Sequence, residues 1–294
     1  MGAVSMLKVC AIVVVALAVG AIAPVRAGGL PSSQDLVKAR LVAEMQAMAP
    51  GAVLWVDLHL EMKPGWHTYW RNPGDAGLPT TIKWSLPPGF SAGEIRWPMP
   101  QHFVQGDAGS YGYTGAVDLL APITAPKSLG IGPQVRLTAE TSWLVCKRIC
   151  IPGGAQLSLD LPAAAAPLAP DPGVALLFAA ARRQLPVPAP FETRFAELGR
   201  DLRVIVPASA LSGLRDPTAA FFPFDDTLID NAAEQHFERR ADGLHIILKK
   251  SATAAVHSGT VKGVLVLRAD GRVERAFDIS ANPALALPAK TGFP

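Results

Sequence analysis

Short runs of alternating apolar and polar residues, separated by turn residues, are the main pattern along this chain. In Val53–Met62 apolar side chains recur at nearly every second position, which is typical of a β-strand with one buried face. Asp-Gly dipeptides at Asp242 and Asp270 predict hairpins within 237–248 and 261–279. Further strands are predicted at 36–44, 80–86, 94–97, 116–123, 134–143, 155–161 and 202–206. Short strands at this spacing predict antiparallel β-sandwiches.

One segment has helical character and divides the chain. Gly173–Leu185 is rich in good helix formers, and Pro186 ends it. An Ala/Pro-rich stretch precedes this helix, and Pro188 and Pro190 continue a stiff junction after it. The fold class predicted is therefore all-β, with two antiparallel β-sandwiches joined by a short helix and a Pro-rich linker. The predicted parts are a β-sandwich at 28–162, the linker with its helix at 163–190, and a second, smaller β-sandwich at 191–294.

Residues 1–27 have the pattern of a secretory signal peptide. Lys8 supplies a positive charge, an apolar run from Cys10 to Ala23 follows, and Ala27 ends a cleavage site of small residues. An uncleaved N-terminal anchor is the alternative. Processing would remove Lys8 and Arg26, which lowers the formal charge from +3 to about +1, so binding to nucleic acid or to an anionic membrane is not indicated. No later apolar stretch approaches the ~20 residues of a membrane span, so we expect a mature protein that does not cross the membrane.

The two cysteines that remain after this segment lie close together. An apolar strand leads into Cys146, three residues separate it from Cys150, and a Pro-Gly-Gly turn at Pro152 leads into the next strand. A tight reversal of this kind brings the two cysteines face to face, within disulfide range. In an oxidising compartment they can form one intramolecular disulfide.

Three interpretations of the cysteine pair follow from its chemistry. A stabilising staple is one, although closing a loop of about five residues restricts the unfolded chain by only ~2 kcal/mol. A redox-active pair is favoured, because Lys147 and Arg148 lie between the cysteines and nearby cations favour the reactive thiolate. A site for Cu(I), a soft ion that two thiolates suit, is the third.

Other chemical signatures are missing from the sequence. The histidines show no paired ligand spacing and there is no second cysteine pair, so no metal ligand is assigned. The acidic residues Asp225, Asp226 and Asp230 are interpreted as a solvated loop, with calcium binding as the alternative. There is no Gly-rich phosphate loop and no nucleophile elbow, and no organic cofactor is expected.

Several longer motifs resemble a known family. Gly65–Pro79, Tyr111–Tyr113 and Trp143–Pro152 resemble the N-terminal periplasmic domain of the DsbD thiol:disulfide interchange family, in its ScsB-type branch, which is linked to suppression of copper sensitivity. The resemblance covers residues from about 36 to 162. Phe221–Ala233 is similar to the second domain of the same branch.

The resemblance implies an immunoglobulin-like fold and a function. The chain would act in the periplasm as a thiol–disulfide oxidoreductase of the protein-disulfide reductase type, with Cys146 and Cys150 as the exchanging residues. An aromatic cap over the disulfide is implied, for which Tyr111 is the nearest match, and Asp107 matches a flanking acidic residue that assists proton transfer. Lys147 and Arg148 are supporting residues.

Partners are also implied by the resemblance. Thioredoxin-fold periplasmic proteins would exchange electrons with the pair. Relatives continue into a membrane domain and a thioredoxin-like domain that we do not find here, so a separately encoded membrane electron donor is expected. The alternatives are an envelope module that handles copper or a client protein while its disulfide is structural, and a purely structural adaptor.

Overall fold

The computed structural model describes residues 32–166, 168–170, 172–254 and 259–284. The predicted signal peptide at 1–27 lies outside the described residues. The described helices are α1 (Ser33–Leu36), α2 (Pro172–Arg183) and a 3-10 helix (Ala208–Leu211). The strands are β1 (Val37–Ala43), β2 (Val53–Met62), β3 (His67–Gly74), β4 (Thr81–Ser85), β5 (Ser91–Ala92), β6 (Gln101–Gln105), β7 (Ala108–Thr114), β8 (Ala116–Thr124), β9 (Gln134–Cys146), β10 (Cys150–Pro162), β11 (Val187–Pro188), β12 (Arg194–Leu198), β13 (Asp201–Pro207), β14 (Thr218–Pro223), β15 (His236–Arg240), β16 (Gly243–Lys249), β17 (Val261–Ala269) and β18 (Arg272–Pro283).

The first half of the chain forms two sheets that pack face to face, and the predicted all-β class is confirmed. One sheet has the strand order β1-β2-β8-β5, and the other has the order β10-β9-β3-β7-β6, with β4 also paired to β9. Alternate residues of β2 and β8 face inward, as the period of two predicts, and Leu58, Leu60 and Leu119 are completely buried between the sheets. This sandwich positions the strand ends that carry the cysteines.

Helix α2 covers the outer face of the first sheet. Phe178 is completely buried there and forms a small apolar cluster with Leu120 of β8 and Ala181. Arg182 adds an ion pair from the end of the helix to Glu44, which follows β1. The helix predicted between the two halves is therefore packed against the first sandwich rather than exposed as a free connector.

The second half contains one further sheet with the order β14-β17-β18-β12-β13-β16-β15, in which β11 also pairs with β18. Strand β18 pairs with β17 along most of its length and with β12 at its end, so it joins the two parts of this sheet. Phe221, Leu265 and Ile246 are completely buried between these parts. Both predicted Asp-Gly hairpins form, and at the second turn Asp270 and Gly271 have φ values of 49° and 73°.

The two halves share apolar contacts. Phe222, Val264 and Val266 of the second half belong to the same buried cluster as Trp70 and Tyr111 of the first. The described residues from Ser32 onward accordingly belong to one compact unit. The division of the chain into two domains at the Pro-rich linker stays a prediction.

The contact between α2 and the first sheet leads to a stability prediction. Replacing Phe178 by Ala removes a completely buried ring, and we expect the free energy of unfolding to fall by about 3 kcal/mol. Denaturant-induced unfolding measures this change. Leu176→Ala is the matched control, because Leu176 is 72% exposed on the same helix and its loss should cost less than about 0.5 kcal/mol. Equal effects of the two substitutions would show that α2 is not packed as described.

Candidate functional site

The hairpin of β9 and β10 places the two cysteines opposite each other. The strands pair in register from Gln134 and Pro162 up to Cys146 and Cys150, where the Cα atoms are 4.1 Å apart. The two Sγ atoms form a disulfide. The tight reversal predicted from the sequence is thus the physical reason for the bond, because directly opposed residues of an antiparallel pair lie within disulfide range.

The two cysteines differ in their exposure to solvent. Cys146 ends the buried side of β9 and is 3% exposed, whereas Cys150 and the three turn residues before it are exposed. Ile149 at the turn is 46% exposed, although it is a large apolar residue. One sulfur of the bond is consequently held in the protein interior, and the other belongs to a protruding turn that a second protein can contact.

Two residues of β3 form a polar chain that ends at the disulfide. The hydroxyl oxygen of Tyr69 lies 3.7 Å from Cys150 Sγ, and His67 Nε2 lies 3.3 Å from the same hydroxyl. The backbone cause is strand pairing, because His67 pairs with Cys146 and Tyr69 is two residues further on the same face. Tyr69 itself is buried, and burial raises the pKa of its hydroxyl, which keeps it protonated as a hydrogen-bond donor.

A small cavity of about 110 Å³ lies beside the disulfide. Phe103 of β6 forms one wall and stacks on the His67 ring with a centroid distance of 4.9 Å. The cavity is lined by His67, Tyr69, Ala76, Phe103, Gln105, Ala108, Ser110, Cys146, Lys147, Arg148 and Cys150. Its walls are formed by strand β3, the loop that follows β3, the hairpin of β6 and β7, and the cysteine turn.

The supporting site residues predicted from the sequence differ in their position relative to the cavity. Lys147 and Arg148 line the cavity from the exposed turn, so the structure brings both to the cysteines. Asp107 is exposed at the tip of the hairpin, between Gln105 and Ala108, which line the cavity. Tyr111 is 1% exposed and does not line this cavity.

The ring of Tyr111 packs inside the molecule. It makes edge-to-face contacts with Trp70 and Phe222 at centroid distances of 6.3 and 5.5 Å. Burial raises the pKa of its hydroxyl, and the charges of Asp75 and Asp230 raise it further. The aromatic side chains beside the disulfide are instead His67, Tyr69 and Phe103, which sequence reasoning did not single out. The signal for the first two was the alternation of the aromatic run after Gly65, which fits a strand.

Comparison with known proteins is consistent with this site. Residues 33–162 match the family described as thiol:disulfide interchange protein DsbD, N-terminal. This segment is similar to a DsbD N-terminal domain. It contains the disulfide and every residue that lines the cavity.

A solved structure extends the likeness beyond that segment. The crystal structure of the N-terminal periplasmic domain of ScsB from Proteus mirabilis is 18% identical, with a TM-score of 0.60, and the match covers 86% of this chain and 96% of that one. The two proteins therefore share a fold that includes the second half. The sporulation control protein Spo0M from Bacillus subtilis is 10% identical, and the match covers 83% of this chain and 89% of that one. Its TM-score of 0.23 is too low to indicate a shared fold. No curated protein matches the chain, and none of the helices in the described ranges is long and apolar enough to span a membrane.

The second half of the chain holds the hairpin of β6 and β7, which forms one wall of the cavity, in place. Asn231 donates a hydrogen bond from Nδ2 to Asp75 Oδ1 at 2.7 Å, and its backbone oxygen accepts one from His102 Nε2 at 2.7 Å. Asp75 Oδ2 in turn accepts from the backbone N–H of Gly109 at the start of β7. A side chain at Gly109 would meet the Asn231 backbone oxygen at 1.9 Å, so glycine is required for this close approach.

Glycine also permits the position of Tyr69 beside the disulfide. Gly77 has a φ of 111°, and a Cβ atom there would lie 2.3 Å from the Tyr69 ring. The loop after β3 can therefore pass directly over the ring that contacts Cys150. The same loop carries Asp75, so the ring and the hairpin are restrained by one short segment.

These contacts predict that the second half limits the motion of the cavity hairpin. In Asn231→Ala the hydrogen bond to Asp75 is lost, and we expect the amides of β6 and β7 to exchange with deuterium about tenfold faster. Hydrogen exchange followed by mass spectrometry measures this rate. Asn282→Ala is the control, because Asn282 is exposed on β18 and should leave these amides unchanged. Identical protection in both variants would contradict the restraint.

His67 predicts a pH dependence of stability. Burial lowers its pKa below the usual value of about 6.5, since a charged imidazole would be desolvated in the cavity wall. Below pH ~6.5 the unfolded chain therefore binds a proton that the folded chain binds only at lower pH, so the free energy of unfolding falls as the pH falls. We expect His67→Gln to lose part of this slope in denaturant unfolding measured on both sides of that pH. His236→Gln, at an exposed position of β15, should keep the slope.

Proposed function

We propose that this protein is a periplasmic thiol–disulfide interchange module that passes reducing equivalents through Cys146 and Cys150. The observation that carries the proposal is the asymmetric disulfide, in which an exposed Cys150 is bonded to a buried Cys146 beside a small aromatic-walled cavity. A disulfide in an exposed turn is open to attack by a thiolate. The DsbD N-terminal match over 33–162 supports the same class of chemistry.

The exposure of the two sulfurs supports one order for the proposed exchange. The thiolate of a reduced partner attacks Cys150 Sγ, a bond forms between the two sulfurs, and the Cys146 sulfur leaves as a thiolate. The second thiol of the partner, as a thiolate, then attacks the partner sulfur that is bonded to Cys150. This step closes the partner's disulfide and releases Cys150 as a thiolate. Two electrons have passed to this protein, and the partner carries the new disulfide. The reverse sequence, begun by the Cys150 thiolate, reduces a downstream protein.

Side chains of the cavity favour the charged intermediate. Lys147 and Arg148 place two positive charges beside the cysteines, which favours a thiolate over a thiol. Tyr69 is positioned to donate a hydrogen bond to Cys150 Sγ. His67 orients that hydroxyl when its Nε2 carries the proton, because Nε2–H then donates to the Tyr69 oxygen and leaves the phenolic hydrogen for the sulfur.

The proposed partners are thioredoxin-fold periplasmic proteins. A dithiol partner is required by the exchange, since each cycle needs one thiol to attack and one to resolve. We further propose that a membrane partner supplies the electrons and that residues 1–27 direct export. The periplasmic assignment is supported by this leader pattern and by the likeness to a domain described as periplasmic.

The order of attack predicts different reactivities for the two single-cysteine variants. Cys146→Ser leaves the exposed thiol of Cys150, and Cys150→Ser leaves the buried thiol of Cys146. Each variant is mixed with a thioredoxin whose single exposed cysteine carries thionitrobenzoate. We expect Cys146→Ser to form the mixed disulfide at least about tenfold faster, because exchange depends on access to the sulfur. Absorbance of the released thionitrobenzoate gives the rate.

The controls separate this function from a structural disulfide. The double variant Cys146→Ser, Cys150→Ser should release no thionitrobenzoate above background. The wild-type disulfide should be reduced by reduced thioredoxin, as shown by alkylation of both cysteines and mass spectrometry. A wild-type disulfide that stays intact, or a faster reaction of Cys150→Ser, would overturn the proposal in favour of a staple or of the reverse order.

A further inference from the structure

A second group of chemically active side chains lies on the outer face of the first sheet, away from the cavity that adjoins the disulfide. Asp57 and His59 are two residues apart on β2 and therefore face the same side. Asp118 of β8 is directly opposite His59 in the strand register, and His59 Nδ1 lies 2.6 Å from Asp118 Oδ1. None of the three lines the disulfide cavity.

The carboxylate of Asp57 is the unusual member of this group. Asp57 is completely buried, and neither of its oxygens makes a hydrogen bond of standard geometry with a described residue. Burying an unpartnered carboxylate is costly, so such groups are normally neutralised by a proton, a cation or a metal ion.

The cations of the protein do not satisfy both carboxylates. His59 is paired with Asp118, so it does not form an ion pair with Asp57. Arg40 lies opposite His59 on β1, but it is exposed and forms no ion pair with either aspartate among the described residues. The apolar side chains of Leu120 and Phe178 border the group and offer no polar partner.

We propose that Asp57, His59 and Asp118 form a binding site for a divalent first-row metal cation such as Zn²⁺. One ligand atom from each residue lies within 4.8 Å of the other two. Ligand atoms around a tetrahedral Zn²⁺ are about 3.3 Å apart, so three ligand atoms that all lie within 4.8 Å of one another need only small side-chain shifts to bind one ion. One imidazole nitrogen and two carboxylate oxygens match the charge and the ligand preference of this class of ions.

The site has a route to solvent and a structural role. The side chains of His59 and Asp118 are each 18% exposed, so an ion can enter from their side while Asp57 closes the site from within. The bound ion would link β2 to β8 beneath the region that α2 covers. Because binding to the folded state alone stabilises it, the ion should raise the unfolding temperature.

Zinc titration of the full chain tests the site. The protein is kept oxidised, so that the cysteine thiols cannot bind the metal, and Zn²⁺ is titrated by calorimetry in competition with a chromogenic chelator. We expect one Zn²⁺ per chain and a rise in unfolding temperature. His59→Gln, Asp118→Asn and Asp57→Asn should each weaken binding by roughly tenfold or more.

The set of variants keeps the test of the metal site valid even if one variant fails to fold. His59 and Asp118 are partly exposed, so their substitutions should fold even if that of Asp57 does not, and circular dichroism checks each variant. His236→Ala, at an exposed histidine of β15, should bind as the wild type does. Binding that survives both His59→Gln and Asp118→Asn overturns the site, as does the absence of binding by Zn²⁺ and by Mn²⁺. Loss of thiol exchange with zinc binding intact would count only against the redox function.

Discussion

The antiparallel pairing of β9 with β10 is the interaction on which the site depends. It sets Cys146 opposite Cys150, and the ladder then continues to the far ends of both strands. On its other edge β9 pairs with β3 and β4, so the cysteine hairpin is part of a wide sheet and not a free arm. Because β3 pairs at Cys146 through His67, Tyr69 reaches the sulfur of Cys150. The chemistry beside the disulfide is therefore set by strand register.

A second constraint comes from the other half of the chain. All residues that line the cavity precede residue 151, yet one wall of the cavity is a hairpin that Asn231 holds through Asp75 and His102. The shared apolar cluster around Trp70 and Phe222 keeps the two halves in contact. The second sandwich thus contributes to the site by restraining its wall, and not by supplying a reactive group.

The sequence was sufficient to predict those elements whose conformation depends on interactions between neighbouring residues. The alternating pattern of β2, the Asp-Gly turns and the reversal between Cys146 and Cys150 depend on neighbouring residues, and each has the predicted form. The strand predicted at 94–97 is instead a single bridge. The hairpin of β6 and β7 was missed because its glycine-rich and polar residues lack the alternation of a strand with one buried face. Strand β3 was missed because its partners β7 and β9 are distant in sequence. For the same reason the side on which Tyr111 packs could not be predicted, nor could the approach of Phe103 to His67.

The unequal burial of the two cysteines has a consequence for how much the fold depends on the disulfide. The covalent link joins the last rung of a long ladder to a short turn, and backbone hydrogen bonds of the same two strands continue behind it. The sheet, the buried Cys146 and the aromatic wall are therefore also held by contacts other than the disulfide. A fold that does not rest on this single covalent bond suits a protein in which, as proposed above, the bond opens and closes repeatedly.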